Sequence, residues 1–65
     1  MREWLIELRK QKKLSQQELA DKVGVTRQMI SAIENGDATP SVPKAQIIGE
    51  LLGCEWTKFY EKEAV

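Results

Sequence analysis

No histidine occurs in this sequence, and its one cysteine, Cys54, has no second thiol to meet. Without imidazole or clustered cysteines the common metal-ligand sets are missing. The base that most often activates a serine or cysteine nucleophile is missing as well. The four glycines stand singly, at 24, 36, 49 and 53, so no glycine-rich loop is present to cradle a phosphate. These absences argue against an enzyme and against a metal or organic cofactor. A lone cysteine forms no internal disulfide, which suits a reducing cytoplasm. Glu3 and Glu7 would interrupt the apolar core of an export signal, so a cytoplasmic location is expected. No apolar run approaches the roughly 20 residues that cross a bilayer, and no membrane partner is expected.

What is there is 42% hydrophobic and 31% charged, with only two prolines in 65 residues. That composition belongs to a folded chain rather than a disordered one. The length allows one domain, spanning residues 1–65, and a domain this small buries only about 60% of its unfolded surface. The apolar residues recur at helical spacing throughout, which makes the fold class all-α.

The stretch from Leu14 to Gly36 is the most informative. Ser15-Gln16-Gln17-Glu18 fits a capping box, so a helix begins at Gln16. Leu19, Ala20 and Val23 form its apolar stripe, and Gly24 ends it. Val25 is an apolar plug in the turn. Thr26 caps a following helix over Arg27 to Asn35, which Gly36 closes. At about 100° per residue, Ile30, Ile33 and Glu34 share one side, while Gln28, Ser31, Ala32 and Asn35 share the other. Arg27 and Met29 lie on the flanks, and Arg27 in the first turn is able to swing outward. An arginine, a glutamine and a small alanine on an open helix face are the groups that read guanine, adenine and the thymine methyl in the major groove.

These residues resemble a known family. S-Q-Q-E-L-A, V-G-V-T-R-Q and I-S-A-I-E-N-G look like the lambda-repressor-like (Cro/C1, XRE-type) helix-turn-helix proteins, over nearly the whole chain. The resemblance implies a compact five-helix domain in which the second helix of the pair enters the major groove and the first crosses the backbone. It implies base readout by Arg27, Gln28 and Ala32, helped by Ser31 and Met29, the last in place of a small polar residue. It assigns Gln16 to a phosphate contact and pairs Arg9 with Glu34 as a structural ion pair. The function implied is a sequence-specific double-stranded DNA-binding transcriptional regulator, a repressor binding a palindromic operator as a dimer. The alternative is an antitoxin or adaptor module that uses the same fold to bind protein.

The net charge is zero, so its distribution decides whether phosphate is approachable. Met1 to Lys13 carries net +3, from Arg2, Arg9, Lys10, Lys12 and Lys13 against Glu3 and Glu7. Leu14 to Gly36 carries −1 and Asp37 to Val65 carries −2. The basic end comprises a first helix from about Arg2 to Lys12, with Leu5 and Leu8 facing inward and Trp4 at the edge of that stripe. Lys12 and Lys13 also suit its C-terminal dipole, and Lys13 joins the phosphate candidates.

After Gly36, Pro40 forces Thr39 extended and makes a loop. Relatives pass this loop along the phosphate backbone. Asp37 stands where a lysine is common, which leaves Asn35, Thr39 and Lys44 as its phosphate candidates. Ser41 is placed to cap a fourth helix bearing Ile47, Ile48, Leu51 and Leu52. Gly49 there permits close packing, and Gly53 is the stop. Cys54 reads as a small core hydrophobe. Glu55 then caps a short fifth helix with Trp56 and Phe59 directed at the core. The aromatic cluster Trp56, Phe59 and Tyr60 is also the expected interface of a weak homodimer. Glu61 to Val65 read as a frayed end.

Overall fold

The computed structural model describes residues 1–60, and the expectation for Glu61 to Val65 lies outside them. Among the described residues every regular element is helical: α1 (Glu3–Gln11), α2 (Gln16–Val23), α3 (Arg27–Asn35), α4 (Val42–Leu52) and a 3-10 helix over Trp56–Tyr60. The all-α, lambda-repressor-like architecture holds, and its fifth helical element is 3-10 in type. Lys58 N–H bonds the Glu55 carbonyl three residues back, at 3.1 Å. A stretch of five residues after the Gly53 stop is short enough for that tighter winding.

Each helix boundary has a local cause. The Ser15 hydroxyl accepts from Glu18 N–H at 3.0 Å, and the Glu18 carboxylate accepts from Ser15 N–H at 2.9 Å, which completes the capping box of α2. Hydrogen bonding to Ser15, through its backbone N–H first and its side chain second, holds the Glu18 carboxyl below its ordinary range. Gly24 ends α2 at φ +86°, a conformation that favours glycine. The chain therefore turns at once into the Thr26 cap, whose hydroxyl accepts from Met29 N–H at 3.1 Å. At α4, Ser41 holds the cap position with no side-chain bond, contrary to expectation. Pro43 in the first turn sets that entry instead, its missing N–H being one that the helix would leave unpaired anyway.

All five elements contribute to one core: Leu5, Leu19, Ala20, Val23, Ile30, Ile33, Ala45, Ile48, Leu52 and Phe59. The two alanines are fully buried, which lets helix backbones approach closely. Phe59 seals the end of the core and meets Trp4 edge-on, with ring centroids 5.1 Å apart. The Tyr60 hydroxyl donates to the Pro40 carbonyl at 2.6 Å and ties the 3-10 helix to the α3–α4 loop.

Arg2 plays a part that the sequence did not suggest. Its guanidinium donates to the carbonyls of Ile33 (2.6 Å) and Ala38 (2.8 Å) and to the Thr39 hydroxyl (3.2 Å). It also lies 5.7 Å from the Phe59 ring centroid. Its N–H bonds the Glu34 carbonyl at 2.7 Å. The side chain therefore gives the Ile33 carbonyl a second donor beside Gly36 N–H (3.2 Å), and it fixes the following loop to the body of the domain.

Gly49 is buried where α4 meets the 3-10 helix. A Cβ there would stand 2.7 Å from the Cys54 carbonyl oxygen and 3.3 Å from Trp56 Cβ. Alanine is about 1 kcal/mol the better helix former, but a clash with backbone at this distance has no flexible neighbour to absorb it. Gly49→Ala is therefore expected to destabilise the fold by about 1–3 kcal/mol in urea unfolding, the range for an overpacked core.

Candidate nucleic-acid interface

Helix α3 separates its two faces sharply. Ile30, Ile33 and Glu34 are buried, whereas Arg27, Gln28, Met29 and Asn35 are exposed, and Ser31 and Ala32 are half-buried between them. Among the described residues nothing packs over Gln28. Met29 keeps 43% of its surface in water, an unusual place for a large thioether unless something else covers it. Its inner edge lines a small cleft of about 270 Å³ with Val25, Thr39, Pro40 and Lys44. Half-buried Val25 packs against the core and sets the approach of α3 to α2.

The buried face carries one charge, and it is fully partnered. Arg9 Nε donates to Glu34 Oε2 at 2.6 Å, and Arg9 Nη2 to Glu34 Oε1 at 3.4 Å. Arg9 Nη1 reaches the Leu14 carbonyl at 2.9 Å. Glu34 Oε1 also accepts from the Gln16 amide at 2.9 Å. Side-chain exposure is 12% for Arg9 and 3% for Glu34, so the pair is screened from water. One carboxylate thus joins α1, the α1–α2 connection, the first residue of α2 and the inner face of α3.

This arrangement changes the part open to several expected phosphate ligands. Gln16 gives one amide N–H to Glu34, which leaves its second amide N–H and its helix-terminal backbone N–H as the donors it has for a phosphate. Lys44, expected at phosphate, has one intramolecular partner. It is half-buried, its ammonium donates to the Val23 carbonyl at 3.3 Å, and it lies against Gly24, where it stabilises the C-terminus of α2. Lys13, Asn35 and Thr39 are exposed. Lys13 adopts φ +57°, a left-handed backbone that costs a lysine about 1–2 kcal/mol. Arg2, counted with the basic end, uses both terminal nitrogens of its guanidinium within the chain, a role with no signal in the sequence because the carbonyls it binds come from distant residues.

The aromatic end also needs a correction. Phe59 is 3% exposed and belongs to the core, so it is not available to a second copy of the chain. Trp56 is half-buried and meets Tyr60 edge-on at 6.0 Å, and Tyr60 is 42% exposed. Cys54 is half-buried, and burial raises its thiol pKa above the ordinary value, as expected of a packing residue. No helix is long and apolar enough to cross a membrane, and no group of three metal-ligating side chains comes together among the described residues.

Residues 5–59 match the model of the helix-turn-helix family. The chain is 43% identical over 61 residues to an uncharacterized HTH-type transcriptional regulator, YqaF, of Bacillus subtilis (strain 168). That match covers 94% of this chain and 80% of the relative. It is 49% identical over 55 residues to an uncharacterized HTH-type transcriptional regulator of Methanothermobacter thermautotrophicus, covering 85% of this chain and 80% of that one.

Replacing Glu34 with glutamine removes the charge that balances Arg9 in a site with little access to water. The expected loss of stability is about 3–5 kcal/mol, because a buried cation is left without its partner. Thermal and urea unfolding of Glu34→Gln measure it, and a loss under 1 kcal/mol would mean that solvent reaches the pair.

Proposed function

The chain belongs to the helix-turn-helix family, and on that premise we propose that it is a sequence-specific regulator of transcription that binds double-stranded DNA through α3. The observation that carries this reading is the division of α3 into a buried apolar side and an uncovered side bearing Gln28. A helix needs only its buried side to fold. The outer side is free for recognition, and the capped N-terminus of α3 adds a positive dipole end toward a polyanion.

In this reading α3 lies in the major groove. Arg27 takes a guanine edge by its fork of donors, Gln28 an adenine edge by its amide, and Ala32 a thymine methyl, with Ser31 and Met29 flanking them. Contacts to the sugar-phosphate backbone fix the register and carry no sequence information themselves. They fall to the backbone N–H of Gln16 at the start of α2, to Lys13, and to Asn35 and Thr39 around the loop after α3. In this reading the protein acts as a repressor, by occupying its operator. It binds a palindromic operator as a weak homodimer, with Tyr60 and the exposed edge of Trp56 at the contact and two α3 helices about 34 Å apart.

Selection of bound duplexes from a random DNA pool tests the whole reading. A palindrome with half-sites about one helical turn apart is the expected product. Enrichment of a lone half-site removes the dimer, and no enrichment removes sequence recognition. On the selected duplex, Arg27→Ala is expected to lose about 1–3 kcal/mol and to relax preference at one base pair. An equal loss on every sequence would make Arg27 a phosphate ligand.

Lys13 separates folding from binding. Glycine at this left-handed position relieves backbone strain, so Lys13→Gly is expected to hold or raise the melting temperature. It is also expected to weaken DNA binding and lower the salt slope by about 0.9, one phosphate contact's worth. An unchanged slope would remove Lys13 from the interface.

A further inference from the structure

Thr39 borders the reading helix: with Met29 and Val25 it lines the cleft between α3 and α4, and it is exposed. Its hydroxyl receives Arg2 Nη2 at 3.2 Å. A guanidinium has donors only, so in this bond the threonine oxygen must accept. That fixes the use of one lone pair and leaves the single O–H to donate elsewhere. Among the described residues that O–H has no protein acceptor. The bond to a cation also polarises the hydroxyl and makes it a stronger donor.

We propose that Arg2 sets the Thr39 hydroxyl as a donor to a DNA phosphate oxygen, Thr39 being the contact and Arg2 its positioning residue. The proposal rests on the DNA-binding reading above and assigns the loop its ligand and the orientation of its proton. Arg2 does not itself meet the phosphate. Both hydrogens of Nη1 are bonded to the Ile33 and Ala38 carbonyls, and Nη2 faces Thr39 and, at 3.5 Å, the Phe59 carbonyl. The same bonds hold the loop: Ala38 is fixed through its carbonyl and Thr39 through its side chain, so two consecutive residues are placed before DNA arrives. Pre-placing a contact reduces the ordering cost of binding. The loop carries Asp37 and none of the lysines or arginines, so a neutral donor oriented by a cation behind it offers a phosphate contact that the loop's own charge does not supply.

A neutral donor and a cationic one differ in a measurable way. Each lysine or arginine on phosphate contributes about 0.9 to the slope of log affinity against log salt, and a hydroxyl contributes nothing to it. The experiment is binding of the selected operator and of a scrambled duplex, measured by fluorescence anisotropy between about 50 and 200 mM salt. The proteins are wild type, Thr39→Val, Thr39→Ser, Arg2→Met and the Arg2→Met/Thr39→Val double variant. Each is assayed at a temperature where its melting curve shows it folded, with Arg2→Lys used where Arg2→Met does not fold.

Thr39→Val is expected to weaken both duplexes alike, by roughly tenfold, with the salt slope unchanged, and Thr39→Ser is expected to keep wild-type affinity. The Arg2 variant is expected to weaken binding in the wild-type background and to add little in the Thr39→Val background, while it lowers the melting temperature in both. Four results would overturn the proposal: unchanged affinity for Thr39→Val, a loss for Thr39→Ser as large as for valine, additive losses in the double variant, or a slope reduced by about 0.9 in the Arg2 variant. A wild-type chain that binds neither duplex would overturn the regulator reading itself, and this inference with it. Wild-type binding with an unaltered Thr39→Val overturns the hydroxyl assignment alone.

Discussion

The geometry of this domain depends on one carboxylate. Glu34 is an acid on the inner face of the helix that must present its outer face, and its exposure is 3%. An isolated buried carboxylate would be too costly to retain. Here Arg9 of α1 supplies charge and Gln16 of α2 supplies a neutral donor, so both oxygens are satisfied. The consequence is directional as well as energetic. Apolar packing of Ile30 and Ile33 tolerates small rotations of α3 about its axis, because dispersion and burial have no preferred angle. A two-pronged arginine contact has one, and it fixes which residues of α3 face outward.

The same residue is held from its other side. The Glu34 carbonyl accepts from Arg2 N–H, and the Arg2 guanidinium caps the neighbouring Ile33 carbonyl. The two ends of α1 therefore grip the C-terminal part of α3, one through a side chain and one through the backbone. The N-terminal part, which carries Arg27 and Gln28, is held differently, by the Thr26 cap and by the packing of Val25. A helix anchored at its far end and capped at its near end keeps its position while the side chains of its first turn remain free, which is what the proposed contact with base edges requires.

Much of this was legible in the sequence because the signals are local. The Ser15–Glu18 box, the Thr26 cap, the glycine stops and the 3.6-residue apolar period each involve residues within one helical turn, and the structure places the helices where those signals put them. The outward face of α3 follows from the same period. What the sequence did not disclose is long-range. Arg2 and Lys44 read as surface cations because nothing nearby in the chain needs them. Their acceptors are carbonyls 31 and 21 residues away, at helix ends that are visible in the sequence but whose side-chain donors are not. Phe59 was assigned to two surfaces at once. A small domain has few large side chains with which to close its core, and the core takes this one.

These engagements bear on how a chain of zero net charge approaches a polyanion. Arg2, Arg9 and Lys44 are bonded to oxygens of their own chain, which commits donors that would otherwise face a phosphate while their charge still raises the local potential. The outward cations near the helix pair are then few, among them Lys10, Lys12, Lys13 and Arg27. Sequence-independent attraction scales with the number of phosphates neutralised, and here it is small. On the proposed reading, a domain built this way would depend on oriented neutral donors at helix N-termini and loops, and on base edges. A larger share of its affinity is then expected from contacts that only the right sequence completes.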